Sequence, residues 1–256
     1  MDATTLRVAT YNIRKCVGLD WKRRPDRILA VLDELEADVV ALQEVDKRFG
    51  SRASTLPERA LEEAGWHAAH FEREPLSLGW RGNAILVKPH ITVERARSLE
   101  LPAFEPRGAA VADLSLEGRR LRVVGVHLGL TGKPRVRQIA AIAAEIETHP
   151  PRPTILMGDT NEWRALTGAL AHFAATHHLS PPMPTFHTSM PVAALDRIVT
   201  TRDVRIDRCH VHASELARKA SDHLPLWADV SIAAPGRHRP PERRPGVAET
   251  VDEEAP

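Results

Sequence analysis

The sequence predicts a protein of the α/β or α+β class, in which mixed β-sheets are covered by helices. Two kinds of connection predict this class: a strand–helix–strand unit spans residues 6–42, and a tight hairpin lies within residues 109–128. Because a helical crossover joins parallel strands and a tight turn joins antiparallel strands, a chain that contains both forms mixed sheets. The 256 residues, 43% of them hydrophobic and 27% charged, are enough to bury a sizeable core.

The strand–helix–strand unit is defined by three apolar patterns. Residues 6–13 (LRVATYNI) are rich in β-branched and apolar residues and predict a buried strand. The helix begins at Pro25, which suits a first helical turn, and its apolar residues recur at helical spacing up to Ala37. Residues 38–42 (DVVAL) predict a second buried strand.

The remaining elements follow the same rules. The hairpin strands, residues 109–114 and 121–128, flank a turn that contains Glu117 and Gly118. Residues 133–148 have apolar residues at helical spacing and predict a helix, which the PRP sequence after it ends. Further strands are predicted at residues 83–87, 154–157, 195–200, 204–211 and 224–232.

The domain organisation follows from composition. Residues 1–235 contain no low-complexity linker and no fixed repeat, which predicts one domain. Residues 236–256 combine proline with charges of both signs and almost no apolar residues, which predicts a disordered tail.

Charge, cysteine content and hydropathy exclude several classes of protein. With a net charge of +1 the chain has no overall positive potential that would attract a polyanion. Nucleic acid would therefore have to bind at a local basic patch. Cys16 and Cys209 are far apart in sequence, which fits a reducing compartment and excludes a thiolate zinc site. No apolar run is long enough for a transmembrane segment and the first residues do not resemble a secretion signal, so a cytoplasmic protein is expected.

Polar residues lie where the predicted strands end. Asn12, Glu44, His127 and Asp159 each follow an apolar strand, whereas Asp196 and the pair Asp222–His223 precede one. Because an antiparallel strand begins where its neighbour ends, all of these residues are expected to converge on one edge, where open sheets bind ligands.

The chemistry expected at this edge is metal-assisted and directed at phosphate. Carboxylates, the carboxamides of Asn12 and Asn161, and two histidines would meet there without a cysteine ligand. Hard oxygen ligands favour Mg²⁺ or Mn²⁺, and substrate phosphate oxygens commonly complete a magnesium shell. The chain lacks the HExxH, GxxxxGK[ST] and GxSxG motifs, which excludes the common zinc proteases, nucleoside triphosphatases and serine hydrolases.

Seven ordered segments across residues 10–226 carry a resemblance to a known family. They are TYNIRKCVGLD, ALQEVD, RGNAIL, VGVHLG, MGDTNEW, LDRIV and SDHLPL. Their order resembles that of the endonuclease/exonuclease/phosphatase superfamily, which includes deoxyribonuclease I-like nucleases, abasic-site endonucleases, inositol polyphosphate 5-phosphatases, neutral sphingomyelinases and deadenylases. The resemblance implies a four-layer sandwich of two mixed sheets with helices outside.

The resemblance also implies metal-binding and catalytic roles. Glu44 would be the principal metal ligand, with Asn12 and Asp222 in or next to its shell. Asp159 would orient or deprotonate water, and Asn161 would fix that carboxylate or contact phosphate.

The other matched residues would bind the phosphate. His223, held by Asp196, would donate to a phosphate oxygen, and His127 corresponds to a second phosphate-contacting histidine. Arg107 and Asn83 would bind the substrate phosphate, although a surface ion pair with Glu105 is the alternative for Arg107.

Two departures from the family pattern bear on substrate. Thr160 replaces a usual phenylalanine or leucine and should change packing more than catalysis, while Arg197 replaces a tyrosine. The Asp196–Arg197 pair resembles that of inositol phosphatases, but their neighbouring proline, tryptophan and cysteine are missing.

Three functional hypotheses follow. Nuclease-type hydrolysis of phosphodiesters leads, with a phosphate-ester substrate and nucleic acid as one candidate partner, and hydrolysis of inositol phosphates or lipid head groups is the alternative. A catalytically inactive binding module is a third hypothesis; it would have lost Glu44, Asp159, Asp222 or His223, and all four are present.

Aromatic residues and histidines outside these roles have simpler interpretations. The tryptophans are predicted to be mostly core residues; Trp80 and Trp163 border motif loops, so stacking on a base or sugar is the alternative for them. His177, His178 and His187 are predicted to lie in polar loops rather than to form a second metal site.

The tail interpretation is tested by truncation. Deletion of residues 236–256 should leave turnover of a small phosphate ester unchanged, because the last motif ends at Leu226 and the last predicted strand at Ile232. Steady-state kinetics of the truncated and full chains measure this. A truncated protein that folds normally but loses turnover would place a tail residue in the active site.

Overall fold

Two six-stranded mixed sheets pack face to face, and helices cover their outer faces. The computed structural model describes residues 4–47, 52–71, 76–102, 107–163 and 168–233. The four layers confirm the predicted fold class and the sandwich that the family resemblance implies.

The strands are β1 Thr4–Asn12, β2 Val39–Gln43, β3 His67–Ala68, β4 Ala84–Val87, β5 Thr92–Glu100, β6 Gly108–Leu116, β7 Arg119–His127, β8 Thr154–Asp159, β9 His177–Leu179, β10 Asp196–Thr201, β11 Val204–Val211 and β12 Leu226–Ile232. The helices are α1 Pro25–Glu34, α2 Glu58–Glu63, α3 Gly132–Glu147, α4 Ala171–Ala174 and α5 Ala217–Ala220. Short 3₁₀ segments lie at Arg14–Cys16 and Gly168–Leu170.

The first sheet has the order β11-β12-β1-β2-β4-β3. Its parallel pair is β1 and β2, which α1 connects, and its other strand pairs are antiparallel. Pro25 is the first residue of α1, as the sequence predicts, because its missing N–H has no partner to lose in a first helical turn.

The second sheet has the order β5-β6-β7-β8-β10-β9. Its parallel pair is β7 and β8, which α3 connects. The predicted hairpin is β6–β7, and its turn residues Glu117 and Gly118 have φ values of 51° and 78°. Positive φ at both positions gives a turn whose twist matches that of the flanking strands.

Three apolar clusters separate the four layers. The cluster between the sheets includes Val8, Ile85 and Met157, all fully buried. Leu32 of α1 belongs to the cluster outside the first sheet, and Ile139 of α3 belongs to the cluster outside the second. Both parallel pairs are therefore covered on their two faces, which explains why their strands have nearly continuous apolar sequences.

The sequence did not predict β3, β5 or β9, which are edge strands or very short. β5 carries exposed and half-buried polar residues without a clear alternation. It is held instead by Arg97, which donates to Asp113 Oδ2 at 2.9 Å, while Arg122 donates to Asp113 Oδ1 at 2.8 Å. The prediction of a polar loop at His177 and His178 is wrong, because both residues form β9 against β10.

Among the described residues, no helix is long and apolar enough to cross a membrane. The predicted tail, residues 236–256, lies outside the described residues.

Candidate active site

The carboxyl ends of both parallel strand pairs meet at one edge of the sandwich. Asn12 is the last residue of β1, and Asp159 is the last residue of β8 in the other sheet. The Asn12 amide Nδ2 donates a hydrogen bond to Asp159 Oδ2 at 3.1 Å and so joins the two sheets. β10 begins beside this contact, because Asp196 is paired with Asp159 in the antiparallel register.

The Asp159 carboxylate lies at the centre of the polar cluster and is 2% exposed. His127 Nε2 is 3.4 Å and His223 Nε2 is 3.7 Å from Asp159 Oδ2. The backbone N–H of Asn161 donates to Asp159 Oδ1 at 3.0 Å. Hydrogen bonds from Asn12 and Asn161 therefore fix this carboxylate, and the two imidazoles lie beside it.

His223 carries a positive charge over the neutral pH range. Burial alone would lower its pKa, but the carboxylate of Asp196, with smaller contributions from Asp159 and Asp222, raises the pKa of His223 from 6.5 to about 9. His223 Nδ1–H donates to Asp196 Oδ2 at 2.9 Å, and Thr185 Oγ1–H donates to the same oxygen at 2.6 Å. Because Nδ1 is bonded to Asp196, the other ring nitrogen, Nε2, faces Asp159.

His127 is neutral. Burial lowers the pKa of His127 to about 3. The Asp159 carboxylate acts to raise this pKa, but the positive charges of Arg107, His223 and Lys15 offset part of that effect. The two histidines beside Asp159 therefore have different protonation states.

The loop after β8 is held by its own polar residues. Asn161 adopts a φ of 50°, and its Nδ2 donates to the Leu128 carbonyl oxygen at 2.9 Å. Thr160 donates through both its backbone N–H and its hydroxyl to the Leu195 carbonyl oxygen, each at 2.8 Å. These bonds attach the loop to the strands that carry His127 and Asp196.

Glu44 and Asp222, two of the expected metal ligands, each face a cation of the chain. The Lys15 ammonium forms an ion pair with the Glu44 carboxylate, and Arg14 Nε is 3.3 Å from Asp222 Oδ2. Arg14 and Lys15, with φ values of 46° and 56°, are in the left-handed region, as is Glu44 with a φ of 55°. Such residues cost on the order of 1–3 kcal/mol each and persist only where their surroundings hold them.

The donor set fits a divalent cation that prefers oxygen ligands. No three His, Cys, Asp or Glu side chains in the described parts of the chain form a metal cluster by themselves. Magnesium commonly takes one or two protein carboxylates and completes its shell with water and substrate oxygens, so such a cluster is not required. The ion pair of Lys15 with Glu44 shows that this half-buried carboxylate already accepts a cation as its neighbour.

Asn83 and Arg107 occupy adjoining positions at the edge. Asn83 is fully buried, and its Nδ2 donates to the backbone oxygens of Gly108 and Trp80 at 3.0 and 3.3 Å. The Asn83 amide thus holds the backbone next to Arg107. Asn83 would therefore affect phosphate binding by positioning Arg107. Glu105, the alternative partner of Arg107, lies outside the described residues.

The sequence reasoning missed Arg14, Lys15 and Thr185. Lys15 lies within the first motif, but nothing in the sequence signals that a lysine there adopts a left-handed conformation. Thr185 lies 11 residues before Asp196, and only the folded chain brings them together.

Two exposed tryptophans border the loops of this site. Trp21 is 78% exposed with the Arg14 guanidinium 4.6 Å from its ring centre, and Trp163 is 66% exposed. Trp80, the other stacking candidate, is 3% exposed and donates from Nε1 to the Leu99 carbonyl oxygen, so it is a core residue.

Comparisons with known proteins identify the family and the fold. A family model described as the Endonuclease/Exonuclease/phosphatase family matches residues 9–223. The uncharacterized protein YbhP of Escherichia coli K12 is 26% identical over 217 residues, which cover 77% of this chain and 85% of that protein.

Solved structures have the same fold. A mannosyl-6-phosphatase of Bacteroides thetaiotaomicron superposes with a TM-score of 0.71 at 18% identity, over 88% of this chain and 99% of that chain. D. rerio TDP2, solved with a single-strand DNA product, superposes with a TM-score of 0.68 at 16% identity, over 89% of this chain and 99% of that chain.

The opposite protonation states of the two histidines can be measured by ¹⁵N NMR titration. His223 should titrate at about pH 9 and His127 should stay neutral through the neutral range. Asp196→Asn should lower the midpoint of His223 by about one pH unit or more, because it removes the nearest anion. The exposed Asp26→Asn is the matched control and should leave both midpoints unchanged. Titration of both imidazoles near 6.5 would contradict this account.

The same shift predicts a pH-dependent stability. Because the pKa of His223 rises from 6.5 to about 9 on folding, its protonation stabilises the fold fully below pH 6.5, and this contribution is lost as the pH rises through 9. Thermal melts should therefore show a larger destabilisation by Asp196→Asn near pH 6 than near pH 10.

Proposed function

Because the chain belongs to the endonuclease/exonuclease/phosphatase family, whose members are hydrolases that act on phosphate esters, we propose that it is a Mg²⁺- or Mn²⁺-dependent phosphoesterase that hydrolyses phosphodiesters in the manner of a nuclease. The observation that carries the proposal is the Asp159 carboxylate between a neutral His127 and a charged His223 at the edge where the strands end.

Asp159 acts on the attacking water. Its carboxylate accepts a hydrogen bond from that water, orients it toward the phosphorus atom and takes up its proton as the new P–O bond forms. The P–O bond on the opposite side of the phosphorus breaks at the same time, and the departing alkoxide oxygen takes a proton from solvent. The backbone N–H of Asn161 and the amide of Asn12 hold the two carboxylate oxygens, so that the water is positioned without reorganisation of the carboxylate.

The two histidines act on the phosphate. His223 donates its Nε2–H to a non-bridging oxygen, and its positive charge, maintained by Asp196, stabilises the negative charge that develops there. His127 is neutral and donates a hydrogen bond without adding charge. Arg107, whose charge acts on His127, supplies a guanidinium suited to bidentate phosphate binding.

Glu44, Asn12 and Asp222 are the residues that would hold the divalent cation. When bound, such a cation neutralises phosphate charge and acts as a Lewis acid. The arrangement of Glu44 directly after β2 and Asn12 at the end of β1 supports this assignment, because these parallel strands end side by side.

The nuclease-type substrate is supported by the surface around the site. Trp21 and Trp163 have exposed rings on which bases or sugars can stack, and both border the loops of the proposed phosphate site. D. rerio TDP2, which has this fold, was solved with single-strand DNA.

The alternative is a phosphatase or phospholipase-type enzyme that acts on inositol phosphates or lipid head groups, and the mannosyl-6-phosphatase with the same fold supports the phosphatase form of it. Arg197, which prompted the inositol phosphate alternative, is 3% exposed and shares its strand face with Val199 of the outer cluster, opposite Asp196. It is therefore poorly placed to contact a substrate at Asp159, which favours the diester substrate.

We place this activity in the cytoplasm. Both cysteines of the chain, Cys16 and Cys209, are free thiols, and burial raises the pKa of each to about 11. Unpaired structural thiols are typical of a reducing compartment.

A parallel substrate assay tests the proposal. The full chain with Mg²⁺ or Mn²⁺ is offered plasmid, single-stranded and abasic DNA, RNA, phospholipid vesicles, inositol phosphates and sugar phosphates. Cleavage of a nucleic acid substrate is expected, with His223→Ala lowering kcat by about 10² to 10³, the effect of losing one preorganised donor. Turnover of phosphate monoesters or lipids alone would overturn the nuclease-type assignment and favour the alternative.

Metal dependence is tested in the same assay. Excess EDTA should abolish turnover, and Glu44→Gln should raise the metal concentration needed for half-maximal activity while leaving the fold intact. Glu63→Gln, which removes an exposed carboxylate on α2, is the control and should behave as wild type. Undiminished turnover in EDTA would refute the role of the metal.

A further inference from the structure

The turn that follows β1 is held in an unfavourable backbone conformation. Arg14, Lys15 and Cys16 are three consecutive non-glycine residues with φ values of 46°, 56° and 60°. Residues with a Cβ adopt this left-handed region rarely and usually singly. The turn therefore has to be maintained by contacts with its surroundings.

Backbone hydrogen bonds supply these contacts. The Lys15 N–H donates to the Glu44 carbonyl oxygen at 2.9 Å, and the Cys16 N–H donates to the Ile13 carbonyl oxygen at 2.7 Å. Arg23 Nε donates to the Lys15 carbonyl oxygen at 3.1 Å. Both backbone polar groups of Lys15 are thus fixed, and one of them is bonded to Glu44 itself.

The side chain of Lys15 is directed to the same residue. Its ammonium pairs with the Glu44 carboxylate, and the two side chains are 30% and 29% exposed. Glu44 is also left-handed, with a φ of 55°. Unfavourable conformations on both partners thus bring together one cation and the carboxylate that the proposed function assigns to the metal.

Lys15 is suited to leave this pairing, whereas its neighbour Arg14 is not. The Arg14 guanidinium lies over the Trp21 ring and beside Asp222, which fixes it on two sides. The Lys15 ammonium is a compact charge on a four-carbon stem, so it can move while the bonded backbone stays in place. It is also close enough to His127 for its charge to act on that imidazole.

We propose that Lys15 is the resident counter-ion of the metal site: its ammonium neutralises Glu44 until a divalent cation displaces it, and the released ammonium then binds the anionic group of the substrate. This inference rests on the proposed function, because it takes Glu44 as a metal ligand. Two cations compete for one carboxylate, so Lys15 weakens metal binding while it strengthens phosphate binding.

The test measures binding, without turnover, by calorimetry on the full chain. Lys15→Met should bind Mn²⁺ about tenfold more tightly than wild type, since the competing charge is removed. With Mn²⁺ saturating, the same variant should bind inorganic phosphate about tenfold more weakly. Lys15→Arg keeps the charge and should stay near wild type in its Mn²⁺ affinity.

Tighter Mn²⁺ binding together with weaker phosphate binding identifies Lys15 as a counter-ion, because general damage to the site would weaken the binding of both ligands. Lys22→Met makes the same chemical change at an exposed position of the same loop and should match wild type in both titrations. Lys15→Gln is the second variant, and circular dichroism confirms that each variant is folded. Unchanged or weaker Mn²⁺ binding by Lys15→Met and Lys15→Gln, or unchanged phosphate binding, would overturn the inference.

Glu44→Gln separates this inference from the proposed function. If Glu44→Gln abolishes Mn²⁺ binding but Lys15→Met leaves it unchanged, only the role of Lys15 is refuted. If neither wild type nor Lys15→Met binds Mn²⁺, or if Glu44→Gln binds it as tightly as wild type, the metal site of the proposed function is refuted as well.

Discussion

The contact between Asn12 and Asp159 is the point on which the site depends. Each residue ends a strand of a central parallel pair, and the two pairs belong to different sheets. A hydrogen bond of 3.1 Å between these side chains is formed only if both sheets pack with their carboxyl ends at the same edge. The apolar cluster between the sheets fixes that packing, because a shift of either sheet would misalign buried side chains such as Val8 and Met157.

Electrostatics then gives similar residues different roles. His127 and His223 are both buried and both lie near Asp159, but only His223 has a second carboxylate, Asp196, on its other nitrogen. For His127 the effect of burial prevails and the ring is neutral, whereas for His223 the anions prevail and the ring is charged. One carboxylate is thus flanked by a neutral imidazole and a cationic one, which suits the proposed hydrolysis of a phosphate ester.

Much of this arrangement could be predicted from the sequence, because strand ends can be read from apolar patterns. Asn12, His127 and Asp159 lie within two residues of the ends of predicted strands, and Asp196 lies next to the start of one; in the structure they are the terminal residues of these strands. The ion pair of Lys15 with Glu44 could not be predicted, since left-handed conformations at non-glycine residues depend on tertiary contacts rather than on local propensity. β5 was missed because polar contacts such as that of Arg97 with Asp113 hold it, not an apolar pattern.

The proposed function requires this edge to bind a divalent cation and a phosphate group side by side. A crystal structure of the full chain with Mn²⁺ and inorganic phosphate tests it most directly, since manganese is located by its anomalous scattering. We expect the anomalous peak at the Glu44 carboxylate and the phosphate within hydrogen-bonding distance of His127 and His223. Manganese bound elsewhere, or phosphate away from both histidines while the site is open to solvent in the crystal, would contradict the account.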